Sequence, residues 1–181
     1  MKKKLYIQST KPFIELAVKP EGSEQEEVTF GFKVYGLKDR EKLSEELTKF
    51  LENFSEEVAA LAQTQTEAFN DLSDIEKENT INKALSFMAE QDKFNLAKAV
   101  ESILYIKGAT ITVYDAENVL TSSKVGDTRT ATPLEDFWTT PEEALQIILE
   151  SFLDDKGWKD AILLKHQEAL AADYSVERSK N

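Results

Sequence analysis

The sequence predicts a mainly α protein led by an N-terminal antiparallel β-hairpin, an α+β chain with a helical, bundle-like body. Three observations carry this. Apolar and polar residues alternate with a period of two over residues 12–18 and again over 28–34, the signature of strands with one wet face. From residue 39 onward the apolar spacing changes to three and four, and no proline stands between Pro20 and Pro133, which suits long helices. With 181 residues, 41% of them hydrophobic, the chain can bury a core of its own.

The hairpin region is expected over 1–37. In "PFIELAV" Ile14, Leu16 and Val18 alternate with Glu15 and Ala17, and in "EVTFGFKVYGL" Val28, Phe30, Phe32 and Val34 fall on one face. Pro20, Gly22 and Ser23 mark the turn between them. Two strands are marginal alone, so their apolar face must lie on helices, on further strands or on a partner.

The helical body is expected over 38–175. Leu43, Leu47, Phe50, Leu51 and Phe54 form the first amphipathic face, with Asp39 as its N-cap. Ser55 to Val58 either restart or continue this helix, with Val58, Leu61, Gln65, Phe69 and Leu72 roughly in phase. Ser73 or Asp74 caps a long helix with Ile75, Ile81, Leu85, Met88, Leu96, Val100 and Ile103 as its apolar positions, ending near Tyr105. Gly108 breaks the pattern before a short extended segment at 109–114, and the small polar residues of 119–139 read as a loop. Thr140-Pro141-Glu142-Glu143 then supplies an N-cap, a proline at the first helical position and acids in the first turn. Asp154 to Gly157 separates that helix from the last one, and 176–181 is a polar tail.

Charge narrows the function. Lysine and arginine total 22 against 34 aspartate and glutamate, a formal charge of −12, so phosphate backbones and anionic lipid are repelled. Lys2 to Lys4 is too short a cluster to reverse this. Neither nucleic acid nor membrane is an expected partner. No apolar signal segment follows the basic start and no run approaches a membrane span, so the expected location is the cytoplasm, neither secreted nor membrane-bound.

The chemistry of a site is hard to find. The absence of cysteine excludes thiolate metal sites and a cysteine nucleophile. The six glycines are too scattered for a phosphate-binding loop. Asp154-Asp155, Asp71 with Asp74, and Asp115 with Glu117 lack the spacing of a calcium loop. His166, the single histidine, has no second ligand-spaced histidine and is expected to pack, its removal leaving function intact. No catalytic, cofactor or metal residue is therefore expected, and the chain reads as no enzyme. What remains are apolar side chains that are hard to bury locally. Phe137, Trp138, Trp158 and Ile162 are the candidate partner-binding residues, against the alternative that both tryptophans belong to the core.

The order of these features is similar to that of tail assembly chaperones of long-tailed phages and prophages. The resembling pieces are "VTFGFKVYGLKDREKLSEEL", the helix-to-strand passage "AVESILYIKGATITVYDAEN", the paired closing helices "TTPEEALQIILESFLDDKGWKDAILLKHQEAL" and the terminal "VERSKN". The chain departs from the family in having Ile106-Lys107-Gly108 where members commonly carry Trp-Glu-Gly, and Ala59 to Asn95 has no counterpart. The resemblance implies a noncatalytic protein of the host cytoplasm that holds the tape measure and tail tube proteins soluble during tail assembly. It leaves the oligomeric state open. The competing reading is an acidic adaptor or DNA-mimic inhibitor bound to a basic protein surface, and a carboxylate-dependent hydrolase is disfavoured for want of a constellation.

Overall fold

The computed structural model describes residues 13–22, 24, 26–114, 120–134 and 137–172. Lys2 to Lys4, Asp115, Glu117 and the tail at 176–181 lie outside them. The chain is mixed α+β. Its elements are β1 (Phe13–Val18), β2 (Val28–Lys33), α1 (Leu37–Asn53), α2 (Ser55–Gln63), α3 (Asp74–Ser102), β3 (Ile103–Tyr114), β4 (Leu120–Asp127), α4 (Pro141–Leu153) and α5 (Lys156–Ala171), with 3₁₀ turns at Glu67–Phe69 and Thr128–Thr130. These divide into two compact units: Tyr35–Lys98, and the remainder of the chain on either side of it.

The flanking unit is built on a four-stranded antiparallel sheet in the order β1-β2-β3-β4. The alternation read from sequence sets its faces. Leu16 stands opposite Phe30 and Ile14 opposite Phe32, while Phe30 faces Ile106 on the other side. Phe30, Phe32, Val18 and Ile106 are wholly buried, and Ala144, Ile148, Leu149, Trp158, Ile162 and Ala169 of α4 and α5 join the same core. The pairing of β1 with β2 is thus part of a larger sheet, and α4 and α5 lie on that sheet and not in a bundle.

Two boundaries differ from the sequence reading. The expected loop at 119–139 contains β4, which pairs with β3 from Ala109↔Val125 to Tyr114↔Leu120. An edge strand needs backbone partners on one side only, so a run of serine and threonine with Val125 as one buried anchor suffices. The helix expected to end near Tyr105 ends at Ser102, whose buried hydroxyl donates to the Ala99 carbonyl at 2.6 Å. From Ile103 the β-branched and aromatic residues pair with β2, so the strand starts well before residue 109. Thr128 completes the junction. Its buried hydroxyl oxygen accepts the Ile106 N–H at 3.0 Å, a bond that β4 does not supply.

Helix starts follow their side chains. Thr140 accepts from the Glu143 N–H at 3.2 Å while the Glu143 carboxylate accepts from Thr140 and Thr139, with Pro141 at the first helical position. Ser73 and Glu76 make the same reciprocal pair before α3. Asp155 caps α5 by accepting from the Trp158 N–H at 3.1 Å. At α1 the cap is Gly36, not Asp39. Asp39 sits at the third helical position and its carboxylate accepts the Gly36 N–H at 3.2 Å.

In the inserted unit α1 and α3 run antiparallel. Glu46 reaches Lys98 at 2.9 Å, Phe50 stacks on Phe94 at 4.8 Å, Phe54 meets Phe87 at 6.3 Å, and beyond them Glu56 of α2 reaches Lys83 at 3.0 Å. This interior is thin. Phe87, Ala84, Ala60 and Tyr35 are its buried apolar residues, and α1 has no buried residue at all.

Candidate functional site

Three of the four residues expected to face a partner are core. Trp138 is buried, and its indole N–H donates to the Thr132 carbonyl at 2.9 Å. Trp158 is 5% exposed with its ring 4.4 Å from Phe152, and Ile162 is wholly buried. All three belong to one apolar cluster with the sheet, Trp138 from the turn before α4 and Trp158 and Ile162 from α5 itself. Phe137 differs. It is 43% exposed and lines a shallow groove of about 430 Å³ with Thr139, Glu143 and Ile147.

His166 is also interior, on α5 with its ring 6.4 Å from that of Phe32. Burial disfavours the imidazolium and holds its pKa below the ordinary histidine value. The unfolded chain therefore takes up this proton first. Stability from His166 is complete above the unfolded value of about 6.5 and is lost as pH falls below it, with a slope of at most one proton. The carboxylates held low by their partners, Asp127 beside Arg129 and Glu143 at the α4 cap, act in a lower window, near and below pH ~4. The urea midpoint should accordingly decline between pH 7 and 5 in the wild type and stay flat in His166→Leu. A wild-type midpoint flat over that range would remove this account.

On the sheet face opposite the core, side chains of successive strands form a closed polar network. Tyr105 lies over Gly31, and its hydroxyl donates to Glu15 at 2.6 Å. Lys107 pairs with the same carboxylate, and Arg129 pairs with Asp127 at 2.7 Å while its guanidinium covers the Tyr105 ring at 3.5 Å. Desolvation, and then the Glu15 hydrogen bond, push the Tyr105 pKa up, which keeps the hydroxyl protonated as a donor. Two acids balance two bases, so the arrangement satisfies itself and offers a ligand no spare charge. Among the described residues no group of three or more histidine, aspartate or glutamate side chains could hold a metal ion. No helix among them is long and apolar enough to cross a membrane.

A row of exposed apolar side chains lies on α3. Ile81, Leu85 and Met88 are exposed, Leu85 by 57%, and their spacing of four and three puts them on one line of the helix. The buried line of the same helix is a different one, Ala84 and Phe87 continuing to the half-buried Phe94. Sequence reading marks Ile75, Ile81, Leu85 and Met88 as apolar positions of this helix and does not single out Ala84 and Phe87. The signal was present: a helix with two apolar lines about a third of a turn or more apart has one more than its own unit uses.

No family model, curated protein or solved structure matches this chain.

Proposed function

We propose that this protein is a noncatalytic tail assembly chaperone of the host cytoplasm, which holds the helix-rich tape measure protein, and with it the tail tube protein, soluble until assembly. One observation carries the proposal: the inserted helical unit leaves Ile81, Leu85 and Met88 in water on a helix already packed through its other face. Exposed apolar lines of this kind cost solubility unless a partner covers them. A helix laid along them buries apolar faces on both sides. The formal charge of −12 keeps the resulting complex dispersed.

The same charge supports the second reading, an acidic mimic seated on a basic surface. Salt separates the two, because apolar contacts persist where exposed charge pairs are screened. The test is co-expression with a tape measure protein that is insoluble alone, then size-exclusion in low and high salt. A soluble complex that survives high salt is the expected result. A complex that forms only in low salt transfers the case to the acidic mimic, and a client that stays insoluble sinks the chaperone reading.

A further inference from the structure

The exposed line on α3 continues in both directions with the same rhythm. Asp74, Glu78, Ile81, Leu85, Met88 and Asp92 follow one another at spacings of four, three, four, three and four, and every one of them is exposed. That is the repeat of a coiled-coil seam, about 27 Å long at 1.5 Å per residue. Its middle is apolar and both ends are acidic. Some acids of this unit are engaged, Glu46 by Lys98, Glu56 by Lys83 and Glu90 by Lys93; Asp74, Glu78 and Asp92 form no ion pair among the described residues.

These ends decide what can lie on the seam. A second copy fits badly. In parallel register each acid meets itself, and in an antiparallel pair centred on Leu85 Glu78 meets Asp92, so like charges are pressed together where water leaves. We infer that the seam from Asp74 to Asp92 receives a partner helix whose own seam is apolar in the middle and carries lysine or arginine at both ends. The inference rests on the proposed client-binding role of this unit and adds to it the chemistry of the client segment. The apolar centre supplies attraction, and the acidic ends fix register and reject acidic helices.

The test uses the full chain and two synthetic helical peptides of about 21 residues, long enough to cover the seam. They share an Ile/Leu centre and differ only in carrying lysine or glutamate at the end positions. Fluorescence anisotropy should show the lysine peptide binding on the order of tenfold tighter or more, with the preference shrinking in high salt. Glu78→Lys combined with Asp92→Lys should invert the preference, and Leu85→Asp should abolish binding of both peptides. All three positions are exposed, so far-ultraviolet circular dichroism should be unchanged. Equal binding of the two peptides overturns the inference, as does binding of neither by a chain that still keeps its client soluble. A dimer of the chain that is lost in Leu85→Asp also overturns it, making a second copy the occupant. Client solubilisation is measured separately, so its failure counts against the proposed function whichever peptide binds.

Discussion

Trp158→Ala should lower the free energy of unfolding by about 4 kcal/mol, the cost of emptying a large aromatic site in a core that cannot collapse around it. The ring is 5% exposed and lies 4.4 Å from Phe152, which in turn lies 5.6 Å from Phe30 on the sheet. Its removal thus opens a void shared by α4, α5 and β2. A domain of ordinary stability, about 5–15 kcal/mol, loses a large fraction of its margin. Urea unfolding followed by circular dichroism measures this directly. Phe137→Ala, at an exposed position in the turn before α4, is the control and should stay within about 0.5 kcal/mol. A Trp158→Ala protein of unchanged stability that no longer binds the proposed client would make Trp158 a contact residue instead.

Gly31→Ala should cost on the order of 3 kcal/mol although it adds one carbon. A Cβ on Gly31 would overlap the Cε1 and Cζ atoms of the Tyr105 ring. Neither side can give way easily. Gly31 is paired to Glu15 on one strand and to Tyr105 on the other. The ring is fixed by an edge contact to Phe13 at 5.3 Å, by the Arg129 guanidinium and by its bond to Glu15. Overpacking of this origin is strongly non-additive. Introduced into Tyr105→Ala, the same Gly31→Ala substitution should cost far less than in the wild type. Equal penalties in the two backgrounds would mean that the ring is not the obstacle.

The fold was legible where one residue type settles the local conformation. Thr140-Pro141-Glu142-Glu143 fixes a helix start by itself, and the alternation Val28, Phe30, Phe32 fixes a face, so α4 and β2 stand as read. β4 was not legible, because the pairing that makes a strand of Leu120–Asp127 comes from β3 and leaves almost no periodicity in its own side chains. The site was read only in outline. Trp138, Trp158 and Ile162 were apolar residues without a visible local partner, and their partners, Phe152 and the sheet, are distant in sequence or on another element. For α3 the order is reversed. Large side chains at Ile81, Leu85 and Met88 suggest a core, while the true contact depends on Ala84, too small to draw attention, and on phenylalanines that meet α1.

The sheet's pairing of Phe32 with Ile103 has a consequence for the order in which the chain is made. Roughly 70 residues of intervening chain must be looped out before β2 finds β3, and the entropy of closing so long a loop makes that pairing a late event. The Tyr35–Lys98 segment needs no such closure, since its contacts lie within itself. It also emerges from the ribosome ahead of β3 and β4. During synthesis the exposed line of Ile81, Leu85 and Met88 can therefore be in place on a folded helical unit while β3 and β4, half of the sheet, are still emerging.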